Sequence, residues 1–254
     1  MPPVVYVHGF IGHLRFPELR EGIAGPVLAP DLIGYGASTE HRSPALTVSR
    51  QASHLQGTLS RDIGDQPVVL VGHSGGAAIC VRLAHTHPER VAAIISAEGN
   101  LSPADASLSS RIAPMTPEQV ALWLENARAH PEAFFASDRV VPTRHQMDRM
   151  REWLLHQPAS VIHAMARAVL VETVHPAYER IVRDVMTNIP TYLIRGANSP
   201  RGLGTSRQIE TLSRGVFDIE GAGHMMVLEE PSRFAACVAG ICNRLPTINH
   251  LMDP

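Results

Sequence analysis

One serine of this chain stands in a setting that could make it a nucleophile. Ser74 is the centre of Gly72-His73-Ser74-Gly75-Gly76, a G-x-S-x-G segment between the apolar run 68–71 and the helical run 77–85. A serine on a sharp strand-to-helix turn exposes its hydroxyl, and the flanking glycines keep the tight turn uncrowded. The free N–H groups of the following helix point at the same place. The segment therefore predicts a nucleophilic serine beside a position that can hold a developing negative charge.

A nucleophilic serine needs a base that takes its proton as the new bond forms. His224 is our candidate, because it follows a predicted strand over residues 215–219. It would therefore lie at the carboxyl edge of the sheet, where ligands bind in open α/β folds. Gly221-Ala222-Gly223 leads into His224, and the apolar run 225–228 follows it. The alternative is that His224 is an ordinary member of the chain's 14 histidines.

Two further segments complete an ordered set of motifs. An apolar run over residues 4–7 ends in His8-Gly9-Phe10, and a short strand-like run at 27–29 precedes Asp31-Leu32-Ile33-Gly34-Tyr35-Gly36-Ala37-Ser38. With these motifs in this order, the chain resembles the α/β-hydrolase family over residues 4 to about 245. Within that family it is most similar to the serine esterases and lactonases.

The resemblance implies a catalytic triad and an oxyanion hole around the serine. The oxyanion donors would be the backbone N–H groups of Phe10 and Gly75, since two donors are needed close to Ser74. His8 and His73 also lie inside motifs, and we interpret both as structural residues.

The acid of the triad departs from the family's common pattern. The usual position is a G-x-x-D turn after a late strand, but here that turn is Gly196-Ala197-Asn198-Ser199 and has no carboxylate. A minority of the family, including some lactonases and the pancreatic-type lipases, carries its acid after the strand that corresponds to residues 91–96. Glu98 lies there and is our candidate. The alternatives are that Glu98 faces solvent or anchors a cap, and Asp105 and Asp218 are weaker candidates for the acid.

Strand-like and helical patterns alternate along the first hundred residues. Apolar runs predict strands, and apolar residues three and four apart predict helices. The predicted strands are 4–7, 27–29, 68–71, 91–96, 189–195 and 215–219, and the predicted helices of this part are 13–21, 47–62 and 75–87. This alternation indicates an α/β protein with a mainly parallel sheet and helices on both faces. The sheet would have about six strands, because the family's two N-terminal antiparallel strands are missing.

The alternation stops between the fourth and fifth predicted strands, where only helical signals occur. The resemblance implies that this insertion is a helical cap over the active site. The predicted domains are therefore a core of residues 1–100 and 189–254 and a cap of residues 101–188. Trp123, Phe134 and Trp153 are candidate substrate-binding residues, and packing inside the cap is the alternative for each. We expect the cap to select the substrate and to leave the chemistry to the core.

Composition excludes several classes of function. A net charge of −2 with 18% charged residues provides no basic surface for nucleic acid, and no apolar run could span a membrane. The chain enters a strand almost at its first residue, so we expect no signal peptide. Cys80, Cys237 and Cys242 are predicted to be buried free thiols in a reducing cytoplasm. We expect no metal, no cofactor and no membrane or nucleic-acid partner; the oligomeric state is left open.

Together these patterns predict hydrolysis of a carboxylic ester or lactone through an acyl-enzyme on Ser74. The substrate would be small to medium in size and mainly apolar, since a helical cap implies an enclosed pocket. Serine at this position argues against the dehalogenase and epoxide-hydrolase branches, which use aspartate. Two alternatives are a carbon–carbon bond hydrolase of the same fold and a non-catalytic ligand-binding relative. The second is considered because Ser199 stands where the family usually has its aspartate.

Overall fold

A six-stranded sheet, parallel throughout, runs through the centre of the protein. The computed structural model describes residues 1–38, 46–199 and 207–245. The strands lie in the order β2-β1-β3-β4-β5-β6. They are β1 (Val4–Val7), β2 (Val27–Leu28), β3 (Val68–His73), β4 (Val91–Ala97), β5 (Thr191–Gly196) and β6 (Gly215–Ile219). This sheet confirms the predicted α/β class and strand number. Parts of the predicted core, residues 39–45, 200–206 and 246–254, lie outside the described residues.

Eleven α-helices surround the sheet in the described ranges. They are α1 (Val48–Ile63), α2 (Gly75–Thr86), α3 (Ser107–Ile112), α4 (Pro117–Ala129), α5 (Ala133–Ala136), α6 (Arg144–Leu155), α7 (Ala159–Val174), α8 (Pro176–Asn188), α9 (Arg207–Leu212), α10 (Met226–Glu229) and α11 (Pro231–Cys242). Short 3-10 helices occupy Pro17–Arg20, Gly36–Ser38, Pro88–Arg90 and Pro103–Asp105. β1 and β3 are buried at every position, as expected for strands covered on both faces.

The segment between β4 and β5 is built from helices, as the sequence predicts, and we call residues 101–188 the helical insertion. Two of its helices begin with capping boxes, in which Thr116 pairs with Gln119 and Thr143 pairs with Gln146. α3, α4 and α6 form one group with α7, while α7 and α8 also contact α2. The last two helices of the insertion therefore pack against α2, next to the sheet. Its status as a separate cap domain stays a prediction.

The N-terminal edge of the sheet differs from the expected pattern in detail. The edge strand β2 has only two residues, which leaves little unpaired backbone for another chain to join. The predicted helix over residues 13–21 is wrong, because only the 3-10 helix Pro17–Arg20 forms there. Phe16 before it has extended backbone, the conformation that a following proline favours, and Glu21 after it is extended as well.

The helices bear on two expectations from the sequence, one about membrane spans and one about the three cysteines. In the described ranges, no helix has both the length and the apolar character needed to cross a membrane. Cys80, Cys237 and Cys242 are free thiols; Cys80 and Cys242 are buried and Cys237 is half-buried.

Gly76 and Gly57 form a matched pair that tests how closely α2 packs on β1. A Cβ on Gly76 would collide with the backbone oxygen of Val7, whereas a Cβ on the exposed Gly57 of α1 meets nothing within 4 Å. Alanine is the better helix former, so Gly57→Ala should raise the free energy of unfolding by about 0.5–1 kcal/mol. Gly76→Ala should lower it by about 1–3 kcal/mol in denaturant unfolding, because the overpacking outweighs that gain. A Gly76→Ala protein as stable as wild type would contradict the described packing.

Candidate active site

Ser74 lies on a strained turn between the end of β3 and the start of α2. Its φ of 53° and ψ of −126° belong to a region that non-glycine residues rarely adopt. Three backbone hydrogen bonds hold the turn: Ser74 N–H donates to the Ala97 oxygen, and the N–H groups of Ala77 and Asn100 donate to the Ser74 oxygen, each at 3.1 Å. This is the geometry that a G-x-S-x-G turn uses to present its serine.

The loop His8-Gly9-Phe10 lies directly beside Ser74. An added Cβ on Gly9 would come within 3.1 Å of the Ser74 Cβ, so glycine permits the close approach. In the described chain, the backbone N–H groups of Phe10 and Gly75 donate to no protein acceptor. Both predicted oxyanion donors therefore remain available next to the serine, and their catalytic role stays a prediction.

Buried contacts fix the shape of this loop. His8 Nδ1 donates to the Gly9 oxygen at 2.7 Å, and His8 Nε2 accepts from Leu32 N–H at 3.4 Å. The Tyr35 hydroxyl donates to the Phe10 oxygen at 3.1 Å. Burial lowers the pKa of His8 to about 3, so the ring is neutral at physiological pH and can make both bonds. These contacts give His8 the structural position that the sequence predicts.

His224 stands on the loop between β6 and α10, and its ring lines the same cavity as Ser74. Its Nδ1 is 2.9 Å from Glu98 Oε2. His73 Nε2 donates to the backbone oxygen of His224 at 2.8 Å, which anchors the loop from the side of the serine turn. Burial lowers the pKa of His224, but the hydrogen bond and the charge of Glu98 outweigh it and raise the pKa above the ordinary value.

Glu98 follows β4 and turns its side chain inward. Its φ is 40°, a left-handed value, and only 8% of its side chain is exposed. Its second oxygen, Oε1, accepts from Gly196 N–H at 2.9 Å. Burial raises the pKa of this carboxyl, but the contacts with His224, Ser199 and Gly196 outweigh it and hold the pKa below the usual value. Glu98 is thus an ionised carboxylate against His224, neither facing solvent nor anchoring the insertion.

The other acid candidates are bonded elsewhere. Asp105 accepts from the N–H groups of Leu101 and Ser102, at 3.1 and 2.7 Å, and so closes a local turn. Asp218 pairs with Arg195 at 2.9 Å on the surface. The turn that usually carries the acid contributes the Gly196 N–H, while Asn198 N–H donates to the Ala222 oxygen at 2.9 Å.

The sequence analysis did not single out two buried acidic side chains near His224, Asp138 and Glu229. Asp138 Oδ2, from the helical insertion, accepts from His224 N–H at 2.8 Å. Glu229 Oε2, from α10, accepts from Gly223 N–H at 2.7 Å. Burial raises the pKa of both, that of Glu229 to about 7. Glu229 could have been suspected from its place at the end of the apolar run after His224, but nothing around Asp138 marks it.

A cavity of about 500 Å³ opens in front of Ser74 between the core and the helical insertion. The half-buried rings of Trp123 and Phe134 meet edge-to-face at 6.2 Å in its wall. Trp153 also lines it but is 1% exposed, stacked on Phe16 with ring centroids 6.1 Å apart. Of the three predicted substrate-binding residues, Trp123 and Phe134 are therefore accessible wall residues, and Trp153 lies beneath the surface.

The motif around Asp31 anchors the helical insertion to the core. Asp31 Oδ1 accepts from His156 Nε2 at 2.8 Å, and Arg15 pairs with the same carboxylate. Its other oxygen accepts from Ala37 N–H at 3.0 Å. Burial raises the pKa of Asp31, but His156 and Arg15 hold it well below the usual value.

Among the described residues, no group of three or more histidine, cysteine, aspartate or glutamate side chains could hold a metal ion.

Comparisons with known proteins find lipases and an esterase that are similar to this chain. Lipase LipV of Mycobacterium tuberculosis is 37% identical over 130 residues, but the match covers only 49% of this chain and 45% of the lipase. The mouse sn-1-specific diacylglycerol lipase ABHD11 is 24% identical over 258 residues, covering 94% of this chain and 80% of that protein. The solved structure of a thermophilic esterase from Thermogutta terrifontis has the same fold, with a TM-score of 0.69 and 20% identity over 96% of this chain and 90% of the esterase.

A sequence model of the alpha/beta hydrolase family matches residues 4–237. That range contains all the motifs on which the resemblance was based, from the His8 loop to His224. Because the family model covers most of the sequence, and the fold is that of a solved esterase, the chain belongs to the α/β-hydrolase family.

Proposed function

We propose that this α/β hydrolase cleaves a carboxylic ester or lactone through an acyl-enzyme formed on Ser74. The observation that carries the proposal is the 2.9 Å contact between Glu98 Oε2 and His224 Nδ1, in a cavity that Ser74 also lines. With Nδ1–H directed at the carboxylate, the other ring nitrogen, Nε2, is left as the base.

The reaction follows from the roles of these groups. Ser74 Oγ attacks the carbonyl carbon while His224 Nε2 takes its proton, and Glu98 stabilises the imidazolium that forms. The N–H groups of Phe10 and Gly75 hold the oxyanion of the tetrahedral intermediate. His224 then gives its proton to the leaving alcohol oxygen, which leaves an acyl-enzyme. Water, deprotonated by the same histidine, releases the acid and restores Ser74.

The lining of the cavity supports an ester with an apolar acyl or alcohol part. Leu193, Ile194, Met225, Trp123 and Phe134 contribute apolar surface to it. The names of similar proteins, two lipases and an esterase, favour ester bonds as the substrate class. The non-catalytic alternative loses its main support, since Glu98 supplies the carboxylate that Ser199 lacks.

Ser74 and His224 should be individually essential if this proposal is right. Ser74→Ala and His224→Ala should each abolish most hydrolysis of p-nitrophenyl butyrate, and the double variant should be little worse than either single variant, because members of a triad act as a unit. Labelling by a fluorophosphonate should disappear in Ser74→Ala. Ser53→Ala, at an exposed position, and His87→Ala, at a half-buried position, lie away from the cavity and are the controls. Wild-type turnover by Ser74→Ala would refute the proposal.

Glu98→Gln keeps the shape of the triad acid and removes its charge. It should lower kcat by about 10²- to 10⁴-fold, by analogy with replacement of the acid in serine proteases. Activity needs neutral His224, whose pKa Glu98 raises, so kcat/KM of the wild type should be lost as the pH falls through a value above the ordinary histidine value of about 6.5. In Glu98→Gln the loss of activity should move to lower pH, because burial lowers the pKa of His224 and the charge of Glu98 no longer opposes it.

Asn198→Ala and Ser199→Ala provide the comparison for this measurement, since they alter the turn that usually carries the acid. Each should cost far less than Glu98→Gln. Should Glu98→Gln retain full activity and an unshifted pH profile, the acid would have to come from another residue.

The aromatic wall should determine which esters are accepted. Trp123→Ala and Phe134→Ala should change the preference among p-nitrophenyl esters of increasing acyl length, measured as kcat/KM, while fluorophosphonate labelling survives. Trp153→Ala should instead lower the free energy of unfolding by about 3–5 kcal/mol, because that side chain is almost fully buried. An unchanged chain-length profile in both wall variants would remove Trp123 and Phe134 from the substrate-binding site.

A further inference from the structure

The helical insertion reaches into the loop that carries His224. Asp138 lies two residues after the end of α5, and only 2% of it is exposed. Its Oδ2 accepts from His224 N–H at 2.8 Å, across a separation of 86 residues in the chain. The histidine proposed as the base is therefore held at its own backbone by a side chain from outside the core.

The fit between Asp138 and this loop is close. A Cβ on Gly223 would collide with the Asp138 carboxylate, so the insertion packs directly on the backbone of the residue before His224. A second contact follows a few residues on, where Gln146 Nε2 of α6 donates to the backbone oxygen of Glu229 at 2.8 Å. Glu229 in turn binds Gly223 N–H. The insertion thus holds both sides of the loop.

Burying the carboxylate of Asp138 is unfavourable unless hydrogen bonds compensate. In the described part of the chain, Asp138 forms no ion pair with arginine. Its main compensation is the hydrogen bond from His224 N–H at 2.8 Å, which opposes the rise in pKa that burial causes. Ser137 Oγ also donates to Asp138 Oδ1, at the longer distance of 3.4 Å. Arg139, the next residue, has a φ of 57°, so the backbone that presents Asp138 is itself strained. The shorter hydrogen bond that offsets the burial of the Asp138 carboxylate thus comes from the loop that carries His224.

We propose that Asp138 is a positioning residue, which fixes His224 through its backbone N–H and makes the helical insertion part of the catalytic assembly. This inference rests on the proposed serine-hydrolase function. It departs from the expectation that the insertion only selects the substrate. Asp138 touches no reacting atom in this scheme; it acts on the orientation of the histidine that does.

The test compares two replacements of Asp138 with a matched acid elsewhere in the insertion. Asp138→Ala removes the acceptor and should lower kcat for p-nitrophenyl butyrate by about 10- to 100-fold with little change in KM, since misplacement of a catalytic group by about 1 Å costs that much. The rate of fluorophosphonate labelling should fall in parallel. Asp138→Asn keeps an oxygen that can accept from His224 N–H, and should restore kcat to within about threefold of wild type. Asp148→Ala removes an exposed acid that pairs with Arg151, and should leave kcat unchanged.

The outcomes separate this inference from the proposed function. If the wild type is not labelled by the fluorophosphonate, the proposed function itself fails. If the wild type is labelled and Asp138→Ala, folded by circular dichroism, matches it in kcat and labelling rate, Asp138 has no positioning role. A rise in KM with unchanged kcat would likewise overturn the inference, because it would place Asp138 in substrate binding. Should Asp138→Ala fail to fold, Asp138→Ser, which shortens the side chain and removes the carboxylate that accepts from His224 N–H, carries the same expectation.

Discussion

The hydrogen bond between Glu98 and His224 is the contact on which the rest of the site depends, and it spans three neighbouring strands. Glu98 follows β4, His224 follows β6, and β5 lies between them. The Glu98 carboxylate crosses the end of β5, where Gly196 N–H binds its second oxygen. Glycine is needed there, because a Cβ on Gly196 would collide with the backbone of Gly223. The parallel register of these strands thus sets the distance between acid and base.

Two residues of the site, Ser74 and Glu98, have strained backbone conformations. Ser74 and Glu98 both have positive φ, and such residues cost on the order of 1–3 kcal/mol each. Their backbone N–H groups donate to Ala97 and Ile194, both in the most buried part of the sheet. Because the strained residues are bonded to central strands, they can relax only if the sheet itself is disturbed. The insertion adds a second constraint, since Asp138 binds the backbone N–H of His224.

Some of these features were accessible from sequence and others were not, for physical reasons. The apolar run over residues 215–219 predicted β6 to the residue, and Glu98 followed from the topology of the resemblance. The predicted helix over 13–21 does not form, because Pro17 keeps Phe16 extended. The spacing of apolar residues alone does not detect this effect of proline. Asp138 could not be found, because its partner is a backbone N–H 86 residues away and such contacts leave no spacing pattern.

The most direct measurement on the central claim is a crystal structure of the protein after reaction with a fluorophosphonate. Our account predicts phosphorus bonded to Ser74 Oγ, with the phosphonyl oxygen facing the N–H groups of Phe10 and Gly75 at hydrogen-bond distance. It also predicts that His224 Nδ1 still bonds Glu98. An adduct in which Glu98 has turned away from His224, or in which another carboxylate has taken its place at Nδ1, would contradict the account.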